Sequence, residues 1–313
     1  MNTAVREPIT TASEADIFES LFRPMGIDGV YARTKEYEDV VAGLQRLLTR
    51  HSPPKAETFR FPPVMSRSQL ESSGYLDSFP QLLGCVCSLH GSEKEILSAV
   101  KRIKLGSDWA KEATSSDLVL SPAACYPVYP IAAARGEVPA QGYIFDVAAD
   151  CFRHEPSRNL DRLQSFRMRE YVRIGTPEQI QEFRNAWMER AKSIADDLRL
   201  PYKVDFASDP FFGRTGQLRA EIQLDQALKY ELLIPVRSEE RPTACMSFNY
   251  HREHFGTVWG LNLQGSKAAH TGCIAFGIDR LAIALFAIHG LETSAWPDSV
   301  HRSIFFEDVP RNR

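Results

Sequence analysis

The sequence predicts an α+β fold in which an antiparallel sheet is flanked by helices. Two apolar-aromatic segments between Phe152 and Ile174 enclose a polar loop, Glu155 to Gln164, and read as one long antiparallel hairpin. Leu228 to Pro235, Thr243 to Tyr250 and Val258 to Leu263 read as further strands. Helical patterns fall elsewhere, and strands joined by hairpins with helices apart argue for an antiparallel sheet.

The elements follow in order along the chain. Glu36 to Arg50 carries Val40, Val41, Leu44, Leu47 and Leu48 at helical spacing, with an acidic start and a basic end that suit the helix dipole. Ala56 to Met65 is interrupted by proline and reads as extended. Ser92 to Leu105 is an amphipathic helix, and Leu118 to Leu120 and Tyr143 to Val147 are short strands. Thr176 to Leu198 is the clearest helix, with Thr176 as cap, Pro177 at the first position and Glu178 behind it. Gly277 to His289 is a strongly apolar helix closed by Gly290.

Composition narrows the function classes. Of 313 residues, 43% are hydrophobic and 25% charged, which is ordinary for a soluble globular protein. A formal net charge of −3 gives no support to a stand-alone nucleic-acid binder. No stretch approaches the roughly 20 apolar residues that span a bilayer. Met1 to Thr11 has no apolar signal core, so a cytoplasmic location is expected. The six cysteines form no C-x-x-C pair, and neither G-x-G-x-x-G nor a Walker A sequence occurs. Any ATP site is therefore expected to work without either phosphate loop.

Two constellations carry chemistry. In the first, Cys151-Phe152-Arg153-His154-Glu155 is answered by Phe166-Arg167-Met168-Arg169-Glu170. An Arg on a strand can grip an α-phosphate through charge-assisted bonds, and a returning aromatic offers adenine a face. Arg158 and Arg162 in the loop can fold over the outer phosphates. An exposed, salt-bridged hairpin has the same pattern. The second constellation runs Thr271-Gly272-Cys273-Ile274-Ala275-Phe276-Gly277-Ile278-Asp279-Arg280 into an apolar helix. A charge entering such a helix needs a partner, either a phosphate or an acidic neighbour across a packing turn.

Together, in this order, the two resemble motifs 2 and 3 of the class II aminoacyl-tRNA synthetases. The resemblance implies that Arg153 holds the α-phosphate, Glu155 contacts the adenine side, Phe166 stacks on adenine and Arg280 binds the γ-phosphate, with Mg²⁺ accompanying ATP. The family usually has Glu before the motif 3 Arg; this chain has Asp279. Cys125, in Leu120-Ser121-Pro122-Ala123-Ala124-Cys125, together with Glu170 and Cys273, resembles the metal ligands of the atypical zinc-dependent seryl-tRNA synthetases. Two thiolates and a carboxylate suit tetrahedral Zn²⁺ with one position open, which in that family takes the substrate amine. Each cysteine alone reads as a small buried hydrophobe. Cys151 is expected to pack, and Cys85 and Cys87 to be structural within an apolar run. The resemblance places Ser247 and Asn249 near the substrate; Ala275, two residues from Cys273, is expected to project into the pocket and favour glycine over alanine. His251 and His254 have H-x-x-H spacing but read more readily as surface or substrate-loop residues; Glu231 carries no assignment.

The resemblance covers the chain from Tyr37 onward, leaving residues 1–36 as an N-terminal extension and 37–313 as a synthetase-like domain without a tRNA-binding domain. That architecture resembles the amino acid:[carrier protein] ligases. It implies a homodimer that forms an aminoacyl-adenylate of glycine, or next alanine, and passes the acyl group to the phosphopantetheine thiol of a carrier protein, with no tRNA and no membrane involved. Gly175 to Gly213 is expected to help dock the carrier. The alternatives are an aminoacyl-tRNA synthetase that borrows a tRNA-binding partner and a non-catalytic regulatory paralogue.

Overall fold

A computed structural model describes residues 11–306. The first ten residues, on which the expected absence of a targeting signal rests, lie outside that range.

Helix α1 (Glu14–Leu21) begins with a capping box in which Ser13 and Asp16 satisfy each other's backbone N–H. A hairpin of β1 (Phe22–Ile27) and β2 (Val30–Arg33) follows, then α2 (Lys35–His51) and β3 (Glu57–Phe61). A small sheet is built from β4 (Val64–Ser66), β5 (Cys85–Ser88) and β6 (Thr114–Leu120), in the order β4-β6-β5. It carries α3 (Arg67–Ser72), α4 (Tyr75–Ser78), α5 (Glu93–Lys104) and α6 (Trp109–Glu112). Helix α7 (Val128–Ala133) leads into the hairpin of β7 (Tyr143–Phe152) and β8 (Ser165–Gly175). The rest is α8 (Pro177–Asp197), β9 (Lys203–Phe206), α9 (Gly213–Asp225), β10 (Lys229–Ile234), β11 (Thr243–Arg252), α10 (His254–Trp259), β12 (His270–Gly277), α11 (Ile278–His289) and α12 (Asp298–Phe305).

The main sheet has seven strands in the order β3-β7-β8-β12-β11-β10-β9. Every pairing is antiparallel except β3 with β7. Its back face is closed by α2, α8, α11 and α12: Tyr171, Trp187, Phe248, Ile274 and Phe276 share one core with Leu44 and Phe286. Ile17, Leu21, Phe22 and Tyr31 join that core, so α1 and, through Phe22 and Tyr31, the β1–β2 hairpin pack onto it. A second core under α7 and α10 covers part of the front face, with Tyr129, Phe145, Val172 and Phe255.

The expected helices and the hairpin are all present, the first hairpin strand running on to Phe152. Val258 to Leu263 is not a strand. Its first residues end helix α10, Gly260 turns the chain at φ 63°, and the only bridge beyond is Asn262 with Ala268. Tertiary packing overrides the β-propensity of Val258 and Trp259. Phe255 stacks on Tyr129 at 4.1 Å between centroids, and a Cβ on Gly256 would lie 1.9 Å from the Ala269 carbonyl oxygen. Cys85 and Cys87 are exposed on β5, an edge strand of the small sheet. Cys151 is buried.

Three elements converge on the buried Asp279 at the start of α11. Arg167 of β8 approaches its carboxylate at 2.7 Å, Arg33 of β2 at 3.3 Å, and the Tyr37 hydroxyl of α2 donates to it at 3.0 Å. Burial pushes this carboxyl up, but the two guanidinium groups outweigh burial and hold it below the usual range. A depressed carboxylate contributes stability above the unfolded value of about 3.9 and loses it as pH falls through the lower folded value. Asp279→Asn should therefore destabilise the protein by about 3–5 kcal/mol at pH 7. In urea titrations the gap between wild type and variant should narrow below about pH 4. A gap that is small at pH 7 or independent of pH would show the cluster to be dispensable.

Candidate active site

The front face of the sheet floors a cleft of about 580 Å³. Strand register sets what lies there. Glu170 of β8 pairs with Ala275 of β12, Ala275 with Ser247 of β11, and Ser247 with Glu231 of β10. One row away, Cys273 pairs with Asn249, and Asn249 with Lys229. Five of these seven, all but Glu231 and Lys229, are sequence-derived site residues, and all seven line the cleft. Gly272 is required by packing behind the floor, where a Cβ would lie 2.6 Å from Ile180 of α8 and 2.7 Å from the Asn249 carbonyl oxygen.

Cys125 comes from the loop between β6 and α7. Glu170 Oε1 accepts the backbone N–H of Ala124 at 2.8 Å and of Cys125 at 3.0 Å, which draws that loop onto the floor. The ligand atoms of Cys125, Glu170 and Cys273 lie within 4.8 Å of one another, and all three residues are buried. No other described group of three His, Cys, Asp or Glu side chains converges in this way. The hydrogen bond that Cys273 makes to Cys125, together with burial, pushes the Cys273 thiol well up. The same bond pulls the Cys125 thiol down, but burial and the Glu170 charge prevail and its value rises. Burial raises Glu170 despite the bonds it accepts. Three mutually repelling acidic groups in one buried space form a donor set that a divalent cation stabilises, and the thiolate–carboxylate chemistry fits Zn²⁺.

A narrower recess continues past Arg153, Met168, Gly277 and Arg280 towards Glu155 and Phe166. Arg153 donates through Nε to the Pro122 carbonyl at 3.0 Å, and its guanidinium lies 5.5 Å from the Phe166 ring centroid. Arg280 donates to the carbonyls of Asp161 at 2.8 Å and Ala244 at 2.9 Å. These are neutral partners rather than the acidic neighbour that a packing turn would supply, so both cations keep charge for a phosphate. Glu155 and Arg162 face each other at 3.5 Å near the recess. Arg158 pairs instead with Asp28 at 3.2 Å on the outside.

The two histidines separate. His254 lies 3.1 Å from the Ser73 carbonyl, whereas His251 points Nε2 at Cys273 Sγ across 3.7 Å. Burial pushes His251 down to about 4, so its ring is neutral. Sequence reasoning did not find the cluster in which Lys229 Nζ lies 2.6 Å from Asp209 and 2.9 Å from Glu231. Lys229 and Glu231 alternate onto one face of β10, which is a legible signal; Asp209 arrives from a loop that no periodicity marks.

No protein-family model matches the chain. Two curated proteins of Bradyrhizobium diazoefficiens, named amino acid–[acyl-carrier-protein] ligase 1 and 2, are highly similar. The first is 62% identical, covering 96% of this chain and 94% of its own length. The second is 60% identical, covering 90% and 84%. The type-2 serine–tRNA ligase of Methanopyrus kandleri is 32% identical over 58% of this chain and 37% of its own. Among solved structures, M. kandleri SerRS in complex with A. aeolicus tRNASec matches with TM-score 0.77 and 22% identity, over 96% of this chain and 60% of that one. Seryl-tRNA synthetase from Pyrococcus horikoshii complexed with ATP matches with TM-score 0.67 and 15% identity, over 94% and 63%. At those identities the structures speak for the fold alone, an α+β seryl-synthetase sheet with flanking helices. Full-length similarity at this level to both Bradyrhizobium proteins shows that the chain belongs to the amino acid–[acyl-carrier-protein] ligases.

Proposed function

We propose that the protein is an amino acid:[carrier protein] ligase that activates glycine, or next alanine, with ATP and transfers it to the phosphopantetheine thiol of a carrier protein. The observation that carries this reading is the junction of two sites. The Cys125–Glu170–Cys273 set and the Arg153–Arg280 recess open into one cleft, with the two arginines at the boundary. An amino acid on one side and ATP on the other bring carboxylate and α-phosphorus together there.

In the first step a substrate carboxylate oxygen attacks the α-phosphorus, and the P–O bond to pyrophosphate breaks. Arg153 offsets charge at the α-phosphate and Arg280 at the leaving end, while Phe166 gives adenine a stacking face and Glu155 and Arg162 close the ATP side. Cys125, Glu170 and Cys273 would hold Zn²⁺, which would supply Lewis-acid binding for the substrate amine, and Mg²⁺ would accompany ATP. In the second step the carrier thiol attacks the acyl carbon, AMP leaves and a thioester forms. Ser247 and Asn249 line the amino-acid side, joined by a hydrogen bond of 3.1 Å. Ala275, paired with Glu170 and beside Cys273, narrows the space for a side chain; separating glycine from alanine is worth roughly 1–3 kcal/mol.

The catalytic domain is assigned to 37–313, with 1–36 as an extension, and the working unit to a homodimer. In the segment from Gly175 to Gly213, α8 packs behind the sheet while Asp209, Pro210 and Phe211 line the cleft. The stretch after β9 is the part of that segment proposed to meet an entering pantetheine arm. No helix among the described residues is long and apolar enough to cross a membrane, and a cytoplasmic site of action is proposed.

Arg153→Ala and Arg280→Ala should each reduce ATP–pyrophosphate exchange by at least about 100-fold while the thermal melt stays close to wild type. Near wild-type exchange in either variant contradicts the phosphate assignments. With ATP and labelled glycine, the protein should load a phosphopantetheinylated carrier with a hydroxylamine-labile label, lose that transfer when the carrier lacks its arm, and leave tRNA uncharged. Robust charging of tRNA favours the synthetase alternative, and failure to activate any amino acid favours a regulatory paralogue.

A further inference from the structure

The proposed ligand set brings three negative charges to a divalent ion once it is deprotonated. Around it the chain presents neutral donors. Glu170 takes two backbone N–H groups. Cys273 Sγ faces Asn249 Nδ2 at 3.4 Å and His251 Nε2 at 3.7 Å.

The backbone places His251 there by a local departure from regular pairing. The ladder joins Tyr250 to Gly272 and Arg252 to Thr271, so β11 carries one extra residue, His251, opposite that step. Such a bulge re-aims a side chain and is frequent beside active sites. Arg252, the next residue, is held at φ 53°, a left-handed conformation that is strained for a side chain of its size. The other ring nitrogen, Nδ1, lies 3.1 Å from Thr271 Oγ1 and 3.5 Å from the Tyr129 hydroxyl. Its ring also meets Phe255 edge to face at 5.1 Å.

We infer that His251 is a positioning residue: aimed by the bulge and oriented by Thr271, it donates its Nε2–H to the Cys273 thiolate and so holds that ligand in place on the metal. A metal-bound thiolate only accepts hydrogen bonds, so the nitrogen facing it carries the proton. Nδ1 is then the acceptor, and the Thr271 hydroxyl is the nearer donor to it. His251 and Asn249 together divert electron density from Cys273, which offsets part of the excess negative charge of the ligand set. The inference rests on the metal reading of the site. Partners of this kind commonly contribute 10–100-fold to metal affinity.

The test is titration of the metal-stripped full-length protein with Co²⁺ in competition with a chromophoric chelator, recording the thiolate-to-cobalt charge-transfer band. His251→Phe keeps a ring against Phe255 and removes the donor. It should weaken Co²⁺ binding by about 10–100-fold and move the band to longer wavelength, because a thiolate without its hydrogen bond is easier to oxidise. His251→Gln should restore most of both. Thr271→Val, a mild change that frees the ring, should shift both readouts in the same direction by less, and it keeps the test decisive if His251→Phe does not fold. Affinities and bands unchanged in folded His251→Phe and Thr271→Val overturn the inference while leaving the metal reading intact. A wild-type protein with no thiolate–cobalt band overturns both.

Discussion

The register of β8, β12 and β11 is the constraint on which the site depends. Side chains alternate across a sheet, so moving one strand by a single residue exchanges its two faces. Tyr171, Ile274, Phe276 and Phe248 are buried behind the sheet, and that apolar set excludes any one-residue slip, which would expose it. In the observed register Glu170, Ala275 and Ser247 form a row on the front face, with Cys273 and Asn249 one row away. The hydrophobic pattern of the back face thus selects the polar constellation of the front. A charged row of this kind would be costly to bury if the alternative register placed it under α8.

Cys125 is the one proposed ligand that the sheet does not carry, and its loop is tied at several points. Ser121 donates its backbone N–H to Pro63 and accepts from Phe152, while Pro122 accepts from Arg153. Glu170 accepts from the next two residues but one, Ala124 and Cys125. Arg153 and Cys125 are therefore positioned by one short segment, which couples the phosphate side of the cleft to the metal side. Behind them Asp279 ties α11 to β8, β2 and α2, so that Arg280 and Phe166 keep a fixed separation across the recess.

Legibility followed the range of the forces involved. The helix from Thr176 was plain because a capping threonine followed by Pro177 and Glu178 is a local signal, and the structure closes that cap reciprocally with Gln179. The motif residues Arg153, Phe166 and Arg280 were legible as a pattern of residue types in a fixed order, and the structure brings them to one recess. Val258 to Leu263 was misread because the contact that decides it, Gly256 against the Ala269 carbonyl, spans a turn that the apolar pattern does not report. The exposure of Cys85 and Cys87 was not legible, because an apolar run does not say which face of its strand is covered. Asp209 and the β-bulge at His251 were illegible for the same kind of reason: each is set by a partner distant in sequence.

The central claim is that one cleft holds the amino acid by its amine and ATP by its phosphates at the same time. A crystal structure with a non-hydrolysable glycyl-adenylate analogue, measured at the zinc absorption edge, tests it most directly. The account predicts an anomalous peak among Cys125, Glu170 and Cys273 with the analogue's amine as fourth ligand, its phosphate against Arg153 and its adenine on Phe166. An analogue bound outside the cleft, or one bound within it with no metal peak at those three residues, would contradict the account.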